Sequence, residues 1–565
     1  MAMNCNVLNE NMKPTLKTSL LKLILVGILF YTSYGLSNHY AASLDYVPEV
    51  AFAWERNIPF WAWTIVPYWS LNLMYAAAFF LCRDTHEQNR YVAHLVAAQL
   101  IATLCFLLFP LRFGWPKPPA YGLSGWLFDS LAAFDLPYNQ APSLHIALAI
   151  IVGAFYWTRF PKIRLPLFLW QSLIALSVLT TYQHHFIDIP TGALLGWLVL
   201  WAFPRQMASP LKLGLSHARS QKIALLYLLG ACLTVLPALL GGVWLWLIWI
   251  SVSLLMVAFA YLTGNANVFQ KQANGKLSAA VTVLLLPYLV GVRLNMAYWL
   301  RGKAKTAQIR HDVWIGSVLG ISNHQPAVLD VCAEYPCRSH QGAYRALPLL
   351  DMATPSENDL VQTALILETL RQKHGKVLVC CALGYGRSAA VVLTWLLAYG
   401  GCKNLAQAKA ELKQARPQMV LSPATAQAVE AAANRLKQGL MMDNATDSRI
   451  TAHLLSTAHY VAVCNALLLA LSAKYGGAWF AVQLVLEAVL LYCHIRIHFD
   501  RRVFQDFADN HYAPEDFDHA LQQNGLRQIS GSRTLTQRIN GALSLWRKSL
   551  YLTATQFLIL LIQSI

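Results

Sequence analysis

The chain has 565 residues, 56% of them apolar and only 13% charged, with a formal net charge of +17. An ordinary soluble chain carries about 25% charged residues, so this composition excludes a soluble single-domain protein and points to a polytopic membrane protein of more than one unit. Many of the basic residues stand between apolar runs, where they orient a chain in a bilayer, so nucleic acid is not expected as a partner. Eighteen tryptophans suit two water–lipid interfaces. The eleven cysteines show no CxxC pair and no disulfide-like spacing, and read as free thiols of a reducing compartment.

A helix crossing a bilayer needs roughly 20 apolar residues. In chain order the first candidates lie at 19–36, 61–82, 91–110, 143–159, 166–184 and 187–203. Lys13, Lys17 and Lys22 accompany the start of the first, and no small-residue cleavage site follows, so a retained span is expected. With the N-terminus inside, the basic loops 83–90, 159–164 and 205–222 fall inside. The segment 36–60, with Asp45, Glu49 and Glu55, then falls outside.

Two short motifs sit on that outer face: APSLH at 141–145 and TYQHHFID at 181–188. His184 and Asp188 are one helical turn apart and can share a face. Ionisable groups at membrane depth are costly and point to function. Over about 20–205 these motifs resemble the type 2 phosphatidic acid phosphatase superfamily, in its inositol phosphorylceramide synthase-like branch. The resemblance implies a six-helix bundle in which His184 attacks phosphorus, Asp188 orients it, His145 protonates the leaving group and Ser143 helps to hold the phosphate, with no metal or organic cofactor. Val178 stands six residues before His184, where the hydrolase branch has an arginine, and the family's Lys-x6-Arg-Pro motif is not intact. Arg112 and Lys117, in RFGWPKPP, are the nearest basic candidates for binding substrate, and His185 leaves the choice of nucleophile open.

A hairpin of spans follows at about 223–241 and 243–263. The stretch 277–299 is long enough to span but carries Pro287, Arg293 and Asn295. An interfacial or re-entrant course keeps the basic groups Arg301, Lys303, Lys305, Arg496, Arg501 and Arg502 inside, and is the expected one.

Residues 303–440 have the mixed charge and short apolar runs of a soluble domain. Within them, 375–390 read GKVLVCCALGYGRSAA. Residues 376–380 form an expected buried strand and 391–399 a helix. Between them Cys381 is followed by five residues, then Arg387 and Ser388. A tight loop turns its N–H groups inward around a phosphate, and a helix N-terminus favours a thiolate. Gly384 and Gly386 give the loop its backbone freedom, Arg387 can grip two phosphoryl oxygens, and Ala382, Leu383 and Tyr385 complete the binding loop. The segment resembles the dual-specificity, protein-tyrosine-phosphatase-like family, whose pattern is His-Cys, five residues, Arg, then Ser or Thr. The likeness extends over about 305–440, with 313–320 and 328–334 as its opening strands. It implies an α/β fold, a phosphocysteine on Cys381, and a general acid at Asp351, thirty residues earlier, with Asp330 and Asp359 as alternatives. Cys380 stands where the family has His.

Apolar runs return at 452–474, 476–494 and 549–564. The acidic and histidine residues within 496–548 match no metal-ligand template and read as a charged helix on the inner membrane surface. The expected whole is a polytopic α-helical membrane protein of about eleven spans with an inserted α/β dual-specificity-phosphatase-like domain. Its parts are a six-span unit at 1–205, a hairpin and interfacial helix at 206–302, the phosphatase-like domain at 303–440 and membrane segments at 441–565. The expected activity is cofactor-free hydrolysis of phosphomonoesters on a phospholipid head group. The alternatives are head-group phosphotransfer with an accessory phosphatase, a phosphoprotein phosphatase, or an inactive scaffold. No lysine occurs in the loop, where phosphoinositide-specific relatives of the resembled family often carry basic residues, so the resemblance disfavours a multiply phosphorylated inositol as substrate. The expected location is a bacterial inner membrane, with the phosphatase cytoplasmic and the bundle site periplasmic.

Overall fold

The computed structural model describes residues 13–205, 207–211, 214–310, 312–337, 340–509, 511–512, 514–524 and 535–564. They fall into two compact units, Met1–Val429 and Glu430–Ile565. The first unit begins with helices α1 (Leu16–Ala42), α2 (Ile65–Leu81), α3 (Thr85–Leu108), α4 (Gly122–Ala132), α5 (Leu144–Arg159), α6 (Arg164–Thr180) and α7 (Asp188–Ala202). Their shared core holds Leu71, Phe79, Tyr91, Leu95, Phe106, Ile151 and Ile174. Their outer faces are equally apolar, with Leu25, Leu73, Leu104 and Leu169 exposed, as a lipid solvent permits. Two glycines let α7 lie close on α5. A Cβ on Gly192 would stand 2.4 Å from Ser143 O, and one on Gly196 3.0 Å from Ala147 O. This contact joins the two histidine motifs.

Helices α8 (Ala218–Ala238) and α9 (Leu247–Thr263) form the expected hairpin. The loop after α9 is tied to the end of α7: Gln270 Nε2 donates to Trp201 O at 2.6 Å and Trp201 Nε1 to Val268 O at 3.0 Å. The doubtful stretch 277–299 is broken into α10 (Ala279–Leu284) and α11 (Leu286–Trp299), with Pro287 in the first turn of α11, where its missing N–H is harmless. Both ends of the broken pair touch the following domain. Cys337 N donates to Gly275 O at 2.8 Å, and Tyr385 Oη to Trp299 O at 3.4 Å.

That domain is a five-stranded sheet in the order β1 (Thr306–Gln308), β2 (Val313–Ser317), β5 (Val377–Cys381), β3 (Ala327–Cys332), β4 (Ala343–Leu349). Only β1 is antiparallel to its neighbour. All of β5 is buried, as the central strand of a parallel sheet should be. Helices α12 (Glu357–His374), α13 (Arg387–Ala398) and α14 (Leu405–Ala415) complete it.

Helix α15 (Pro423–Ser456) runs on into the second unit, which also contains α16 (Ala458–Ala473), α17 (Gly477–Ala508), α18 (Pro514–Gln523) and α19 (Leu535–Ser564). Its apolar helices share polar contacts, including Gln483 Nε2 to Gln556 O at 2.8 Å and Asn465 Nδ2 to His494 Nε2 at 3.0 Å. Among the described residues eight helices are long and apolar enough to cross a membrane. The expected spans 143–159 and 187–203 are the shorter helices α5 and α7, of 16 and 15 residues. The expected 549–564 lies within α19, and α4 is a short helix that the sequence reading did not foresee.

Candidate active sites

The loop between β5 and α13 is shaped by its neighbours in the sheet. Ser317 pairs in register with Cys381, and its Oγ donates to Ala382 O at 2.5 Å. Gly384 has φ +78°, and a Cβ there would meet the Gly316 backbone at 2.5 Å, so only glycine fits. Gly384 N donates to Cys381 Sγ at 3.3 Å, and Ser388 Oγ lies 3.4 Å from the same sulfur. Gly386 is the residue ahead of α13, so the sulfur lies at the positive end of that helix. Arg416 clasps the loop from outside. It donates to Leu383 O at 2.9 Å and to Ala304 O at 2.5 Å, and its guanidinium lies 4.9 Å from the Tyr385 ring centre.

Arg387 is buried and held by Glu334. Nη1 and Nη2 each donate to one Glu334 oxygen at 2.6 Å, and Nη1 also donates to Leu349 O at 2.9 Å. Five N–H groups belong to a guanidinium, so Nε–H and one Nη2–H remain for an anion. Asp351 Oδ1 stands 3.1 Å from Nε without the alignment of a hydrogen bond. Asp351 is half exposed, on the loop after β4. The structure thus gathers Cys381, Arg387, Ser388 and Asp351 around one loop.

The two alternative acids are occupied elsewhere. Asp330 is fully buried against Lys271 Nζ, 2.6 Å away, and Asp359 closes a capping box with Ser356 at the start of α12. Cys380 points to the other face of the sheet among Val328, Leu378 and Tyr344. Burial pushes its thiol well above the ordinary range, so it is a packing residue. Glu334, Ser317, Arg416 and Lys271 were not foreseen as part of this site.

In the bundle, α7 begins at Asp188. His184 Nδ1 lies 3.2 Å from Asp188 Oδ2, which also accepts from His185 N at 2.9 Å. Ser143 caps α5 through Ile146 N at 3.4 Å and donates its own N–H to Asp188 O at 3.1 Å. The His145 ring stacks on Tyr68 with centres 3.8 Å apart. His145 Nε2 and Asp188 Oδ1 are buried without a partner. His185 is turned away, with Nδ1 3.1 Å from Glu55 Oε2 and its ring stacked on Phe113. The basic candidates do not complete this group. The Arg112 and Lys117 side chains are exposed, and among the described residues neither donates a hydrogen bond to the histidines or to Asp188. Val178 packs into the core with Ile65, Tyr68 and Ile146. A part-buried carboxylate not foreseen, Asp135, accepts from Tyr34 Oη at 2.9 Å.

A cavity of about 410 Å³ is walled by Phe186, Trp197, Trp246, Trp249 and Leu284. Among the described residues no cluster of three metal-ligating side chains occurs.

A buried parallel strand, a loop that turns the Gly384 amide onto a cysteine sulfur, and an arginine at the head of the next helix define a cysteine-dependent phosphatase domain. Residues 314–433 match the family described as dual specificity phosphatase, catalytic domain. Among solved structures, PTPMT1 in complex with PI(5)P is 15% identical, with 24% of this chain and 99% of that one covered, at a TM-score of 0.22. A mouse putative dual specificity phosphatase complexed with zinc tungstate is 23% identical, with coverage of 24% and 88% and a TM-score of 0.21. Human DUSP28 is 22% identical, with coverage of 24% and 95% and a TM-score of 0.21. No curated protein matches the chain.

Proposed function

We propose that the chain is a membrane-embedded phosphatase that removes a phosphomonoester from a lipid head group through a phosphocysteine on Cys381. The observation that carries the lipid assignment is the seat of the catalytic loop. Ala382 and Tyr385 pack on Met296 and Leu300, at the end of α11. The same helix exposes Val290, Leu294, Tyr298 and Trp299. Such a surface beside the loop is what a substrate held in a bilayer would meet.

In the first step the Cys381 sulfur bonds to phosphorus while the bond to the head-group oxygen breaks, and Asp351 gives that oxygen its proton. The free N–H edge of Arg387 holds two phosphoryl oxygens. In the second step Asp351 takes a proton from water, the water oxygen bonds to phosphorus, and the thiolate leaves toward the Ser388 hydroxyl. Asp351→Asn is expected to lower kcat on an alkyl phosphate by about 10²-fold. The fall on p-nitrophenyl phosphate should be much smaller, because its leaving group needs little protonation. Equal losses on both substrates would remove Asp351 from the acid role.

The bundle supports a second reading: hydrolysis or transfer of a phospho-head group at His184, oriented by Asp188, with His145 as acid. Its support is the buried, half-satisfied trio of His184, Asp188 and His145. One assay separates the readings. Purified full chain in lipid vesicles is given p-nitrophenyl phosphate, a lipid phosphomonoester and a labelled lipid acceptor. Phosphate release lost in Cys381→Ser and retained in His184→Ala supports the first reading. Head-group exchange lost only in His184→Ala supports the second. No activity in any assay would leave a scaffold.

We place the phosphatase domain on the cytoplasmic face, because both ends of the α10–α11 pair meet it and the basic loops follow that side. Protease added to intact cells should leave residues 303–440 uncut, and cleavage there would reverse the orientation.

A further inference from the structure

We propose that Lys271, delivered by the loop between α9 and α10, is a positioning residue of the phosphatase. It fixes the turn that aims Glu334 and, through Glu334, Arg387. The inference rests on the phosphocysteine reading for its meaning, though not for its test.

The loop reaches into the phosphatase domain by a tight approach. Gly275 has φ +81°, and a Cβ there would stand 2.5 Å from Cys337 Cβ and 2.6 Å from Tyr344 Oη. On one side Gln270 anchors the loop to Trp201 of α7 at 2.6 Å. On the other, Cys337 N donates to Gly275 O at 2.8 Å. Between these anchors the Lys271 side chain passes into the domain interior, and neither it nor Asp330 has any exposed surface.

There the ammonium spends all three of its N–H groups. It donates to Asp330 Oδ2 at 2.6 Å, to Cys332 O at 2.7 Å and to Tyr335 O at 2.9 Å. Asp330 is itself fixed, accepting from Tyr344 Oη at 2.6 Å and from Cys332 N at 2.8 Å. The two carbonyls held by Lys271 belong to residues 332 and 335, on either side of Glu334. Glu334 forks Arg387 with both oxygens at 2.6 Å. One ammonium therefore brackets the residue that sets the plane of the phosphate-binding guanidinium. A bidentate grip tolerates little tilt, so a loosened turn costs anion binding before it costs the nucleophile. Cys381 is held by a separate set of contacts, from Gly384 and Ser388.

The test uses the full chain in detergent micelles with inorganic phosphate as the probe. Phosphate binding is read as protection of Cys381 from alkylation by iodoacetamide, a neutral reagent, so the readout does not depend on turnover. Lys271→Met should weaken protection at least tenfold, while alkylation without phosphate stays within twofold of the unsubstituted chain. Should Lys271→Met fail to fold, the pair Lys271→Met with Asp330→Asn removes both charges and leaves no buried ion unpaired. It should fold and still bind phosphate poorly, because the carbonyls of Cys332 and Tyr335 remain unheld. Protection at the original phosphate concentration in either folded variant would overturn the inference. So would a parallel loss of protection and of alkylation rate, which marks general unfolding. If the unsubstituted chain turns over no phosphomonoester yet Lys271→Met still weakens protection, the inference stands and the phosphatase reading falls.

Discussion

Cys381→Ser is expected to lower phosphate release by at least about 10⁴-fold, equivalent to about 5.5 kcal/mol of activation free energy. A serine hydroxyl stays protonated at neutral pH, and among the described residues the polar groups bonded to residue 381 are the Gly384 N–H and the Ser388 hydroxyl, neither of them a base. The covalent route is therefore closed, while the anion pocket survives. Cys381 is almost fully buried, and the exchange of sulfur for oxygen removes little volume, so the thermal midpoint should barely move and phosphate should still bind. The measurements are phosphate release from p-nitrophenyl phosphate and a melting curve of the same preparation. More than about 1% residual activity in a clean preparation would mean that the hydrolysis does not pass through this sulfur.

Glu334→Ala should have the largest effect on stability, about 3–5 kcal/mol, because it leaves the buried Arg387 guanidinium without its counter-charge. Arg387 would keep only Leu349 O as a hydrogen-bond acceptor, with Asp351 misaligned. The same pair predicts a pH dependence. Burial pushes the Glu334 carboxyl up, but the Arg387 guanidinium outweighs it and holds the group below the usual carboxylate range. A carboxyl depressed in the folded state contributes stability that is full above its unfolded value, about 4.3, and is lost as pH falls through the folded one. The unsubstituted protein should therefore lose stability in acid below about pH 4, and Glu334→Gln should lack that part of the curve. Thermal melts between neutral pH and strong acid test both statements. A Glu334→Gln curve that falls in acid as steeply as the original would place the acid-labile group elsewhere.

What the sequence disclosed of these sites was local. Cys381, Arg387 and Ser388 lie within eight residues, between a strand and a helix whose apolar patterns differ, so the loop was legible from that spacing together with Gly384, Gly386 and the elements on either side. Asp351 was legible through family resemblance and the turn chemistry around it. Pro287 flagged the break between α10 and α11. Glu334, Ser317 and Arg416 were invisible as site residues because strand register and a distant loop bring them in, and neither leaves a local pattern. Lys271 was the least legible. It stands in an ordinary polar loop, QKQANGK, and only the docking of that loop gives it meaning. Asp330 and Asp359 looked like acids because sequence distance does not reveal that one is sealed against a lysine and the other caps a helix. In the bundle the two motifs were legible. Their junction through Gly192 and Gly196 was not, because small residues carry no chemical signal of their own.

Helix α7 has Asp188 at one end and Trp201, which grips the Lys271 loop, near the other. Fifteen residues of α-helix measure about 22 Å, so one rod joins the start that carries Asp188 to the anchor of the Lys271 loop. Any displacement of that rod would therefore be felt at both the His184–Asp188 contact and the seat of Lys271.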